Sequence, residues 1–142
     1  MRRIFLDTNV VLDYLMERGD FYKDSEYIFQ AAYNDEVELC LSALSFSNIA
    51  YITRKKFSKD ELYELLAELR KMETCTKVDD CVVDAAIARK AKDFEDALQY
   101  FSAIQAGADC IVTRNIKDFE FAEVLIVTPS DFISKYLKSS FC

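Results

Sequence analysis

The apolar and polar positions of this chain follow two alternating rhythms. Ile4-Phe5-Leu6 is a short unbroken apolar run that predicts a buried strand, and from Asn9 onward Val10, Val11 and Leu15 recur at helical spacing. Tyr22 to Asn34 predicts a second, short helix with apolar residues at Tyr22, Ile28, Phe29 and Ala32, followed by a strand at Glu38–Ser42. Ser45 is expected to cap a helix that turns Phe46, Ile49, Ala50 and Ile52 to one side. That helix ends at Arg54-Lys55-Lys56, where cations suit a carboxyl terminus. Ser58-Lys59-Asp60-Glu61 has the form of a capping box ahead of Leu62, Leu65, Leu66 and Leu69. Thr74–Val78 predicts a third strand, and Asp79 or Asp80 opens a helix with Val82, Val83, Ala86 and Ile87 inward. The next helix runs from near Asp93 to about Ala106, with Phe94, Ala97, Leu98 and Phe101 as its buried stripe and Gly107 just past its end. Asp109–Thr113 and Val124–Val127 read as the last strands, and Thr128-Pro129-Ser130-Asp131 opens a terminal helix. Strands alternating with helices predict an α/β protein with a parallel, doubly wound sheet.

Composition narrows the picture. The 142 residues suit one domain spanning 1–142, and two Gly with one Pro leave little room for irregular loops. Met1-Arg2-Arg3 and the short apolar run after it are too brief for a signal peptide or a membrane span, which predicts a cytoplasmic chain without membrane contact. The five Cys form no CxxC pair, and Cys40, Cys75, Cys81 and Cys110 lie in apolar patterns, so reduced core thiols are expected. The chain has no His, which excludes Ser-His-Asp and Cys-His machinery and any His-ligated zinc. A net charge of −7 excludes a passive basic coat for nucleic acid but not an enzyme that brings divalent cations to phosphates.

Three polar stretches remain as candidate chemistry. Asp7-Thr8-Asn9 follows the first strand, Asp93-Phe94-Glu95-Asp96 begins a helix, and Thr113-Arg114-Asn115 with Lys117 and Asp118 follows a later strand. Each has a bland reading as helix caps, first-turn acids or turn formers. In a parallel sheet, however, Asp7 and Thr113 share the carboxyl edge, and the helix feeding the later strand starts at that edge. Asp93 and Asp96, three residues apart, share a face, whereas Glu95 lies off it. Asp7, Asp93, Asp96 and Asp118 are thus expected to meet in one pocket, and clustered carboxylates require a cation such as Mg²⁺ or Mn²⁺. Metal-activated hydrolysis of a phosphodiester follows, with these four acids as the catalytic group. Arg114 and Lys117 are the natural phosphate contacts, with Arg54-Lys55-Lys56 as a second patch and Tyr14 and Tyr51 as stacking candidates.

Leu6-Asp7-Thr8-Asn9, Asp96-Ala97-Leu98, Val112-Thr113-Arg114-Asn115 and Asp118-Phe119 together resemble the PIN-domain nucleases, including VapC-type toxins of toxin–antitoxin pairs. The resemblance implies a three-layer α/β/α sandwich around a mainly parallel sheet, Mg²⁺ or Mn²⁺, and cleavage of single-stranded RNA. It also implies an antitoxin partner and a homodimer. Asp7 matches the family's first acid and Asp96 its third, while the second and fourth fall on Asn48 and Asn115, a pattern similar to a branch with Asn at the second position. The metal set expected by this resemblance is Asp7, Asp93, Asp96, Asn115 and Asp118, and Asn9, Asn48, Thr113, Arg114 and Lys117 are the expected substrate contacts. A PIN-like binding or regulatory module without activity is the alternative. A receiver or haloacid-dehalogenase-like phosphatase ranks third, since position 9 is Asn rather than Asp.

Overall fold

The computed structural model describes residues 2–119 and 122–137. Five strands form one sheet in the order β3-β2-β1-β4-β5, from β1 (Arg2–Leu6), β2 (Val37–Ser42), β3 (Glu73–Thr76), β4 (Cys110–Val112) and β5 (Leu125–Val127), and every pairing is parallel. Helices α1 (Thr8–Leu15) and α2 (Phe21–Tyr33) connect β1 to β2, and α3 (Ala43–Thr53) and α4 (Lys59–Met72) connect β2 to β3. The pair α5 (Asp80–Arg89) and α6 (Phe94–Gln105) leads into β4. A 3₁₀ turn at Ile116–Phe119 lies between β4 and β5, and α7 (Pro129–Phe132) runs into a π-helical turn at Ile133–Leu137.

The pleat sorts the core into two halves. Ile4, Leu6, Leu39, Leu41, Cys110 and Val112 point to one face, where they pack with Val10, Val11, Ile28, Phe29, Ile49 and Phe132. Phe5, Cys40 and Ile111, the alternate residues, point to the other face against Tyr100 and Ala103 of α6. The three-layer α/β/α architecture follows, as expected for continuous apolar strands buried on both faces.

Local boundaries differ from expectation where neighbouring residues offer equivalent signals. Ser42, not Ser45, caps α3 by accepting from the Ser45 amide, which moves Ser45 into the first turn and buries it. Ile87 and Phe94, expected inward, are 59% and 49% exposed: α5 buries only Val82 and Ala86, and Phe94 is the first residue of α6, ahead of its buried positions from Ala97 onward. Cys40 and Cys110 are buried and their thiols are pushed up to about 12 by desolvation, but Cys75 is only half-buried and Cys81 is exposed. The Ser58 capping box, the Asp79 cap of α5 and Pro129 at the first position of α7 lie where the sequence predicts them.

Glu73 begins β3 with its side chain buried, and neither carboxyl oxygen has a hydrogen-bond partner among the described residues. Desolvation pushes its pKa up to about 8. The native state therefore holds a proton that the unfolded chain releases at the ordinary glutamate pKa. Stability contributed here is present at low pH and declines as pH rises towards 8. Thermal melts of Glu73→Gln should show a flatter decline in Tm between pH 5 and 8 than the parent chain. Parallel curves would contradict this account of Glu73.

Candidate active site

The strand order reverses between β1 and β4, since the chain moves outward from β1 through β2 to β3 and then returns to β4 on the other side. In doubly wound sheets the carboxyl end of such a switch point opens into a crevice. Leu6 pairs with Val112 at this edge, so Asp7 and Thr113 emerge side by side. Asp7 stands at the N-cap position of α1, yet its side chain makes no capping bond. The Thr113 hydroxyl donates to Asp7 Oδ2 instead (2.8 Å), and the Asn115 amide donates to that hydroxyl (3.0 Å). The carboxylate is thereby diverted from its usual local role and fixed at the crevice.

The crevice is a cleft of about 370 Å³, and its walls include Asp7, Asn9, Asn48, Asp93, Glu95, Asp96, Asn115 and Asp118. Asp93 caps α6 by accepting from the Asp96 amide (3.1 Å), so the bland reading of Asp93 holds while the residue also lines the cleft. Asp118 comes from the 3₁₀ turn after β4. The expected metal set of Asp7, Asp93, Asp96, Asn115 and Asp118 therefore shares one cavity.

The electrostatics of this group are unbalanced. Burial pushes Asp96 up to about 7, and Asp93, Asp118, Asp7 and Glu95 add repulsion. Asp7 is also raised, first by burial and then by Asp118 and Glu95, against the opposing hydrogen bonds from Thr113 and the Thr8 amide. Among the described residues none of these acids is paired with a Lys or Arg. Carboxylates crowded without a counter-charge form a hard-oxygen donor set that fits Mg²⁺ or Mn²⁺. The acids are not drawn into a tight cage. Among the described residues the one set of three ligand atoms within 4.8 Å is Asp79, Asp80 and Cys81, where Asp79 caps α5 and accepts from Gln105. The wider spacing in the cleft suits an ion that keeps part of its water shell.

Several expected substrate contacts have other duties. Thr113 is fully buried and cannot reach a ligand, so its part is to hold Asp7. Arg114 Nε lies 2.8 Å from Oδ2 of Asp13, a carboxylate on α1 with no exposure, and the guanidinium rests 4.0 Å from the Phe21 ring centroid. Its charge is spent on the fold. Asn9 lines the cleft and accepts weakly from Arg18 (3.4 Å). Lys117 is exposed and lines adjoining cavities rather than the acidic cleft. Tyr14 is stacked on Phe29 in the core layer, whereas Tyr51 is 65% exposed at the cleft with Arg54 over its ring.

Two residues in the site lay outside the sequence reading. Glu95, expected off the shared face, lines the cleft and accepts from the Asn48 amide (2.5 Å). Gln99 is buried, accepts from the Ser42 hydroxyl (2.5 Å) and donates to that of Ser45 (3.0 Å), while Ser45 in turn bonds Thr8 (2.7 Å). This network ties the amino ends of α1 and α3 to α6, the elements that carry Asp7, Asn48 and Asp96. Gln99 falls one turn after Asp96, a signal the sequence does contain.

A family model for the PIN domain matches residues 3–117. Ribonuclease VapC1 of Aquifex aeolicus (strain VF5) is 23% identical over 138 residues, covering 94% of this chain and 95% of its own. Among solved structures, a toxin–antitoxin complex from Klebsiella pneumoniae aligns with a TM-score of 0.67 at 19% identity, covering 89% of this chain and 97% of that one. VapC20 of Mycobacterium tuberculosis, a sarcin–ricin-loop-cleaving toxin, aligns with a TM-score of 0.64 at 12% identity, covering 86% and 98%. At these identities the structural likenesses establish a common fold. No described helix is long and apolar enough to cross a membrane.

Proposed function

The chain belongs to the PIN-domain family, and from that premise we propose that it is a metal-dependent endoribonuclease acting on single-stranded RNA, the toxin of a toxin–antitoxin pair. The observation that carries this reading is the cleft at the switch point, where Asp7, Asp96 and Asp118 crowd together with no basic partner among the described residues. The antitoxin partner is supported by the likeness to the Klebsiella pneumoniae toxin–antitoxin complex. We place it as a single PIN-like domain, homodimeric by family resemblance, working in the cytoplasm where RNA is found.

In this account Asp7, Asp96 and Asp118, with Asp93 and Asn115, hold Mg²⁺ or Mn²⁺. An ion held there would supply Lewis-acid activation of water and countercharge for the leaving oxygen. The chain's own residues orient and insulate that chemistry. Thr113 fixes the Asp7 carboxylate, and the Thr8-Ser42-Ser45-Gln99 network ties the amino ends of α1 and α3 to α6 behind it. Asn48 stands where the family carries its second acid, consistent with a branch having Asn there, and Glu95 on its amide returns one negative charge to the wall.

The inert-module alternative draws on the same two amides, Asn48 and Asn115. Titration calorimetry with Mn²⁺ separates the readings. A metal-dependent nuclease binds the ion and releases protons on doing so, with affinity falling as pH drops below about 7, where Asp96 is protonated. Absence of Mn²⁺ binding at pH 8 would favour the inert module.

A further inference from the structure

Beside the acidic cleft lies a larger hollow of about 820 Å³ that, unlike the cleft, also carries Lys and Arg side chains. Arg89 ends α5, Lys90 and Lys92 occupy the turn that leads to α6, and Lys117 comes from the 3₁₀ turn after β4. Asp93, Asp96 and Asp118 line both this hollow and the cleft, so the two adjoin. Lys90 closes α5 in the left-handed region (φ 53°), a conformation that costs a non-glycine residue energy and that helix ends usually assign to Gly or Asn. Lys90, Lys92 and Lys117 are exposed and form no ion pair with another described residue. The chain carries 25 acids against 18 Lys and Arg, so four cations around one hollow stand against its average charge.

We infer that the α5–α6 turn and Lys117 form a cradle for the phosphates of the RNA strand on one side of the scissile bond. The inference rests on the ribonuclease reading and adds the binding track to it. Cations spread round a rim, rather than converging on one point, match the successive charges of a polynucleotide better than a single phosphate. The shared acids set the register, because a phosphate placed in the cleft puts its neighbours on the strand over the hollow. Contacts of this kind grip without reading bases, so the cradle contributes affinity and direction but no sequence preference.

The test is binding of a mixed-sequence single-stranded RNA dodecamer, followed by fluorescence anisotropy across a salt series with Ca²⁺ present. The parent chain is compared with Lys90→Asn plus Lys92→Ala, with Lys117→Ala, and with a distant control, Lys23→Ala plus Lys71→Ala. Asn is used at position 90 because it tolerates the left-handed backbone. The paired substitution should weaken binding about tenfold or more and lower the slope of log Kd against log salt by roughly 1.4, about 0.7 for each phosphate left without its cation. Lys117→Ala should lower it by about half as much, and the control should leave it unchanged. Equal affinity and slope in parent and cradle variants would overturn the cradle, as expected if an acidic peptide were its occupant, while RNA binding by the parent kept the nuclease reading intact. A parent chain that bound neither the dodecamer nor Mn²⁺ would overturn both.

Discussion

Asp96→Asn is expected to abolish RNA cleavage while leaving the metal-free chain about as stable as the parent near pH 4 and increasingly more stable as pH rises to 8. The side chain is half-buried among Asp7, Asp93, Glu95 and Asp118, and its pKa of about 7 means that ionising it works against the native state. A raised carboxyl pKa removes stability as pH climbs from the ordinary aspartate value through 7, so a neutral amide of the same shape removes a penalty that grows across that interval and is complete above it. The backbone is undisturbed, because Asp93 caps the Asp96 amide nitrogen, which Asn retains. Activity has the opposite sensitivity. Substituting a group that orients a ligand costs about 10- to 100-fold in metal affinity or activity, and losing a ligand itself costs at least the upper figure. Gained stability with lost activity is the signature of a site kept strained for function. Cleavage and thermal melts measured on the same preparation give both readings. Retained cleavage would remove Asp96 from the metal set.

Arg114→Met is expected to act mainly on folding, at about 3 kcal/mol. Asp13 is fully buried, and burial raises its pKa against the pull of Arg114 and then Arg18. Arg18 lies farther off at 3.7 Å, so removing Arg114 leaves the carboxylate under-compensated. The loss corresponds to a drop in Tm on the order of 10 °C. Adding Asp13→Asn should return much of it, because the stranded charge is removed with its partner. If Arg114 instead gripped RNA phosphates, the single variant would keep its Tm and show a raised KM. The cleavage kinetics of the double variant, measured below its melting range, decide between the two roles.

These two residues also mark how far the sequence carried. The parallel sheet, the helix order and the convergence of Asp7, Asp93, Asp96 and Asp118 on one edge were legible, because strand runs and helical spacing are local signals and parallel topology then places strand ends together. The ion pair of Arg114 is not legible in the sequence, because its partner Asp13 lies 101 positions away and nothing in either neighbourhood announces the pair. The burial of Thr113 is hidden for a related reason. A polar residue after an apolar strand looks available to solvent, but pairing of β1 with β4 buries it against Asp7. The cap of α3 was misplaced because Ser42 and Ser45 offer the same chemistry three residues apart, and only tertiary contact with Thr8 and Gln99 assigns each a place. Glu95 was passed over since helical phase alone separates it from Asp96, whereas the cleft wraps round the end of α6 and takes in both.

The central claim is that the unpaired acids of the cleft hold a divalent cation for phosphodiester hydrolysis. Cleavage of a mixed-sequence single-stranded RNA by the parent chain, with Mn²⁺ and with EDTA, tests it most directly. The account predicts cleavage with Mn²⁺, none with EDTA, and none by Asp96→Asn under either condition. Intact RNA with Mn²⁺ at pH 8, where Asp96 is ionised, would contradict it.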